Sequence, residues 1–247
     1  MNLSVRILAG LQSSGFLSLR SPSAIDDRLD WAKLVAVVLM VADHVFIALP
    51  SPWARWGYLL GRPCVPIFAY VMTSRLADGP VERSARMLAR VLVFGMIAQP
   101  VYGALLGGFL ARLNILFTLA ASVGLIHLLA RRQLIGAGLG AILLSYFDRR
   151  LDSGAVTALG QAAAFLAWRG ERRGLALWII TGAAMLQNLA AIPLDWGAAL
   201  CCVAAPAIIA ASGAMAPPRR WRLPGLAFYA FYPLHLFAIW LAFGPYR

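Results

Sequence analysis

AKLVAVVLMVADHVFIAL, residues 32–49, is the stretch on which the fold turns. Its apolar character runs through eighteen positions, close to the ~20 that a helix needs to cross a bilayer. Lys33 breaks the pattern at one end and the neighbours Asp43 and His44 break it in the interior. Working outward, further apolar stretches stand at roughly 56–76, 87–110, 113–130, 133–147, 154–168, 174–192, 195–213 and 225–243. Several reach spanning length, while 133–147 and 154–168 are short, which implies local thinning or a re-entrant path. The expected fold is therefore all-α: a polytopic transmembrane helix bundle of about nine spans, with eight and ten as neighbouring counts. Glycines at 103, 107 and 108 and at 136, 138 and 140 suit close helix approach in lipid. No internal repeat is visible, which disfavours a repeat-built transporter.

Composition points the same way. The 247 residues are 61% hydrophobic and 13% charged, with mean hydropathy +0.75. A water-soluble domain of this size has no core large enough to hide that much apolar surface. A soluble enzyme, a secreted disulfide scaffold and a disordered chain are excluded. Twenty-two basic residues against ten acids give +12. The arginines cluster in short groups between apolar stretches, the signature of membrane topology and anionic headgroups rather than of nucleic-acid binding. Cys64, Cys201 and Cys202 lie in apolar runs without metal-ligand spacing and read as small buried hydrophobes, with no metal expected.

Residues 1–30 are polar and serine-rich. They read as a cytoplasmic arm, with an interfacial helix as one option, ahead of a transmembrane catalytic domain over 31–247. The apolar run near Ile7–Leu11 is too short for a signal-peptide core. With the amino terminus inside, fifteen arginines fall on the cytoplasmic side and five on the other, a clear positive-inside bias.

Of the ten acids, Asp43 alone falls in the interior of an expected span, Asp195 standing at the loop boundary of its stretch. An ionisable group at membrane depth costs a few kcal/mol or more and is usually functional. Lys33 and His44 are eleven residues apart, about three helical turns and ~16 Å, so they share a stripe with Val37 and Met40. Asp43 is turned by about 100° and addresses a neighbouring helix, where it can serve the second intramembrane histidine, His235. In Phe231-Tyr232-Pro233-Leu234-His235, the proline is expected to kink the last span or free a carbonyl near Tyr229. Histidines on two helices, one beside a carboxylate, fit general-base chemistry, although a helix-to-helix hydrogen bond is the plain alternative. His127 reads as a packing residue. In Gly61-Arg62-Pro63-Cys64-Val65-Pro66 an arginine and two prolines imply broken backbone, and Arg62 can neutralise Asp43 or meet a substrate carbonyl. Asn114 is either a helix N-cap or a donor to substrate.

Taken in order, Leu29-Asp30-Trp31-Ala32-Lys33, Asp43-His44, Gly61-Arg62 with Pro66-Ile67-Phe68, Arg90 with Gln99-Pro100, Leu113-Asn114-Ile115-Leu116-Phe117-Thr118 and Phe231-Tyr232-Pro233-Leu234-His235 resemble the TraX family of conjugative-pilin processing proteins. The resemblance covers about residues 29–240. The spacing from Lys33 to His44 is also distantly similar to membrane acyltransferases of the acyltransferase-3 group. Where the family pattern carries an acid–Tyr–Gly stretch, this chain has Leu151-Asp152-Ser153-Gly154.

The resemblance implies an enzyme of the bacterial inner membrane that acetylates the amino terminus of the pilin subunit, with acetyl-CoA as donor. On that reading His44, Asp43, His235 and Arg62 are the catalytic group. Lys33, Asn114, Tyr232, Arg86 and Arg90 bind substrates, the cations addressing the donor's phosphates. The pilin and the lipid bilayer are the implied partners, and no nucleic acid. Two alternatives stay open: head-to-tail cyclisation of pilin at the same site without CoA, and a non-catalytic pilin chaperone or transporter.

Overall fold

The computed structural model describes residues 22–49, 52–106, 112–190, 194–215 and 225–245. Among them the fold is all-α, with α1 Pro22–Ile47, α2 Trp53–Gly61, α3 Cys64–Ala77, α4 Glu82–Leu106, α5 Ile115–Ala130 and α6 Leu134–Tyr146. A 3₁₀ turn at Asp148–Arg150 leads into α7 Gly154–Arg169, α8 Arg173–Leu189, α9 Trp196–Cys202, α10 Ala204–Met215 and α11 Gly225–Phe243. The described residues of each expected apolar stretch are predominantly helical. The first helix, however, begins at Pro22, inside the segment expected to be a separate arm. Proline favours the first helical position, and no breaker follows it before the apolar run. Residues 1–21 of that arm lie outside the described residues. By length and apolarity, Glu82–Leu106 and Leu226–Phe243 are the two described helices able to cross a membrane.

Two of the apolar stretches are broken, both for the same reason. A proline at the third position of a helix lacks the N–H and its ring clashes with the carbonyl four residues back. Pro66 in α3 does this to Arg62, and Pro206 in α10 does it to Cys202. The chain turns at Arg62–Pro63 and at Val203 accordingly. The Arg62 carbonyl that Pro66 cannot serve lies 3.7 Å from the Cys202 thiol, whose one proton it shares with Ala198 O at 3.5 Å. Pro233, by contrast, does not interrupt α11, which runs through it.

Helix pairs meet through small residues. Gly57 and Gly61, one turn apart on α2, lie so close to α1 that a Cβ on either would collide with Phe46 or Asp43 respectively. Gly160 of α7 meets Ala183 of α8 in the same manner. The α5–α6 and α7–α8 turns share one design. Gln133 N–H reaches Leu128 O at 2.9 Å and Arg132 N–H reaches Leu129 O at 2.9 Å, while Arg172 and Glu171 do the same to Ala167 and Trp168. These are Schellman caps. Arg132 (φ 58°) and Glu171 (φ 63°) occupy the left-handed position that glycine ordinarily fills.

Helix α3 lies at the centre, with Ile67, Ala69, Thr73 and Ser74 fully enclosed. Side-chain placement is inverted relative to a water-soluble bundle. Asn114, Gln161, Thr118 and Thr181 are fully buried, while Ile135 (83% exposed), Ile142 (71%) and Tyr146 (84%) face outward. Small and polar residues between helices with large apolar ones outside is the pattern that lipid favours.

Gly61→Val drives a side chain into Asp43 and is expected to cost on the order of 1–3 kcal/mol. Thermal unfolding in detergent should show this, whereas Gly138→Ala, which meets open space, should not lower the midpoint. Ahead of α9, Arg55 grips Asp195 through two bonds of 2.6 and 2.7 Å, holding its carboxyl down at about 2. A carboxyl depressed on folding stabilises the folded state above its unfolded value near 4 and loses that effect as pH falls through the folded value. The melting difference between wild type and Asp195→Asn is therefore expected to vanish between about pH 4 and pH 2.

Candidate active site

A cavity of about 1620 Å³ runs along α1 between α3, α4, α11 and the loop after the 3₁₀ turn. Lys33, Val37, Met40 and His44 all line it, as their shared helical stripe requires. One end is cationic: Lys33, Arg75, Arg83, Arg86, Arg90 and Arg173 are on the wall, with Asp30 and Asp78 among them. Asp30 Oδ1 pairs with Lys33 at 2.5 Å and with Arg75 at 3.1 Å. Lys33 also lies over the Phe228 ring, 4.4 Å from its centroid. Arg86 and Arg90 are exposed and form no ion pair among the described residues. The other end holds Asp43, His44, Arg62, Asp152 and Ser153.

His44 and His235 meet across α1 and α11, Nδ1 to Nε2 at 2.9 Å. His235 Nδ1 lies 3.0 Å from the Phe231 carbonyl, which can only accept, so that nitrogen carries the proton. His235 Nε2 is then an acceptor, and His44 Nδ1 donates to it. The lone pair of His44 falls on Nε2, on the histidine that forms the cavity wall. His235 is 7% exposed and stacked on Phe231 (centroids 5.2 Å, 7°). It stands behind His44 rather than on the wall. Tyr232 lines the cavity beside the pair, its ring 6.4 Å from that of His44.

The expectation that Asp43 orients His235 is corrected. Asp43 Oδ2 accepts from Arg62 Nη2 at 3.0 Å, because adjacent residues on a helix diverge and Asp43 faces the break between α2 and α3. Its Oδ1 is buried with no hydrogen-bond partner among the described residues. Arg62 is further fixed by Nε donating to Tyr58 O at 3.0 Å and by stacking over the Tyr58 ring at 4.0 Å.

Asn114 is also corrected: it is scaffold. Its Oδ1 caps α5 by accepting from Leu116 N–H at 3.0 Å, and its Nδ2 donates to Gly95 O and Gln99 Oε1, both at 2.9 Å. Fully buried and off the cavity wall, it has no donor left for a substrate. His127 bonds Ser84 at 2.7 Å and packs away from the cavity.

Sequence reasoning missed Asp152 and Tyr102. Tyr102 Oη donates to Asp152 Oδ1 at 2.6 Å. Leu113 and Leu151 form an isolated bridge, with Asp152 N–H donating to Leu113 O at 3.0 Å, and this carries a loop acid onto the cavity wall. The available signal was the run Gly95, Gln99, Tyr102 along one face of α4. Among the described residues no three His, Cys, Asp or Glu side chains converge as metal ligands.

The chain belongs to the TraX family: the family's model, described as TraX protein, matches residues 28–242. Neither the curated proteins nor the solved structures yield a match.

Asn114→Ala removes an N-cap and two buried bonds and is expected to cost about 2 kcal/mol of stability. Thermal unfolding of the purified variant in detergent should show the lowered midpoint.

Proposed function

We propose that this chain is a multi-pass enzyme of the bacterial inner membrane that acetylates the amino-terminal amine of conjugative pilin, with His44 as general base. The TraX family links it to pilin processing. The His44–His235 hydrogen bond at the wall of a cavity with one cationic end is the observation that carries the chemistry. An amine is protonated near neutral pH and must lose a proton before it attacks. His44 Nε2 takes that proton. His235 accepts the Nδ1 hydrogen bond, fixing the tautomer and orientation, and so acts as a positioning residue.

Acetyl-CoA bound in the cavity supplies an activated thioester. The fit rests on the chain's own groups: Lys33, Arg83, Arg86, Arg90 and Arg173 surround the end where phosphates belong. His44, ~16 Å further along α1, lies at the depth where a slender arm ends. The positive-inside bias supports a cytoplasmic position for that cationic end, the side on which the donor resides. The new bond would join the amine nitrogen to the acyl carbon as the carbon–sulfur bond breaks; of the two protons the ammonium loses, one would pass through His44 to the departing sulfur and the other to water. Arg62 Nη1, which makes no hydrogen bond among the described residues, supplies a donor for the developing oxyanion. A cyclase uses no polyanionic donor and so gives the cationic wall no task, which favours transfer.

The test is the intact mass of pilin from cells with and without this protein. Acetylation adds an acetyl group, and cyclisation instead loses water. His44→Ala is expected to lower the modification rate by about 10²–10⁴, and His235→Gln by less than His235→Ala. Fully modified pilin from a correctly inserted His44→Ala would falsify the assignment.

A further inference from the structure

Between its charged ends the cavity has an apolar wall. α3 contributes Val65, Phe68 and Met72 to it, and α5 contributes Ile115, Leu116 and Leu119. Spacings of three and four residues put each set on one face of its helix. Their depth follows from where the helices start. α3 begins at Cys64, directly after Arg62 and Pro63. α5 begins at Ile115, beside the Leu113–Leu151 bridge that brings Asp152 to the wall. The apolar wall therefore starts at the end of the cavity that holds His44 and Arg62. Elsewhere large apolar side chains are packed in the core or turned outward, as Ile135 and Ile142 are. Val65, Phe68, Met72 and Ile115 are only partly buried and border an interior space, where contact with water is unfavourable. At about 1620 Å³ the cavity exceeds the ~300–1,000 Å³ of a pocket for one drug-sized ligand. An acetyl group, with its single methyl, covers little of this wall. A peptide laid against it would bring backbone N–H and C=O groups that need partners. The six side chains offer none, and an alkyl chain needs none.

From these observations we infer that the α3–α5 wall is a chamber for the donor's acyl chain, so that the site binds donors with medium-length chains more tightly than acetyl-CoA. The chamber's role rests on the acyl-transfer reading, but its preference for an alkyl chain joined to an anionic head does not. With the head at Lys33, Arg86 and Arg90 and the acyl carbon beside His44, a longer chain continues along α3 and α5. Each methylene that leaves water there strengthens binding about fourfold. Val65 and Ile115, in the first turns of their helices, set the length that the chamber accepts.

The experiment titrates the full chain in nanodiscs calorimetrically, with empty nanodiscs subtracted. Two pairs of probes are used: S-ethyl- and S-octyl-coenzyme A, thioethers that cannot transfer, and ethyl and dodecyl phosphate below micellar concentration. The long-chain member of each pair is expected to bind at least tenfold more tightly. Val65→Phe and Ile115→Phe, on different helices and each checked for folding by thermal unfolding, place a ring in the chamber and are expected to cut that ratio below threefold. Binding of none of the four probes, equal affinities within both pairs, or a ratio unmoved in the folded variants overturns the chamber. Equal, measurable binding of the two thioethers leaves the CoA reading standing while the chamber falls. Dodecyl phosphate favoured tenfold, with neither thioether bound, does the reverse.

Discussion

The Asp43–Arg62 pair constrains everything around it. Each ion alone would be costly in apolar surroundings, and breaking a buried pair commonly costs about 3–5 kcal/mol. For the two to meet, α2 must end beside the middle of α1. Gly57 and Gly61 allow the backbones that close, and Pro63 and Pro66 stop the helix so that the guanidinium can turn inward. The carbonyl this leaves is met by Cys202, which ties the break in α2–α3 to the break in α9–α10. One ion pair thus fixes the relative placement of five helices. With α1 so held, His44 faces α11 and finds His235.

The two ends of the cavity differ in how their charges are satisfied. At the cationic end Asp30 takes both Lys33 and Arg75, and the remaining arginines keep net positive charge on the wall. At the other end Arg62 pairs with Asp43, and Asp152 accepts from Tyr102. The cavity wall is therefore rich in cations at one end, while at the other its acids are each met by a neighbouring side chain.

Much of this was legible beforehand. Lys33 and His44 share a stripe because helical periodicity is a local property, and their common cavity follows from it. The backbone break at Arg62 was legible because prolines act within four residues. The His44–His235 bond spans 191 positions, and periodicity says nothing about which helices become neighbours. Of the two partners open to Asp43 in the sequence, His235 and Arg62, periodicity could not choose for that reason, and the structure gives it Arg62. Asp152 was hidden because a short bridge between two loops, rather than any helix, delivers it to the wall. Asn114 offered two readings, and the structure's choice depended on Gln99 standing opposite.

The turns at Arg132 and Glu171 show two demands in competition. A left-handed residue with a side chain costs roughly 1–2 kcal/mol relative to the relaxed backbone, and glycine would relieve it. At position 132 the chain keeps a cation next to Arg131 instead, at the carboxyl end of α5 where positive charge is favoured. Local comfort has been surrendered to hold an electrostatic marker at a helix end. A turn can thus carry a charged side chain where backbone energetics alone would place a glycine.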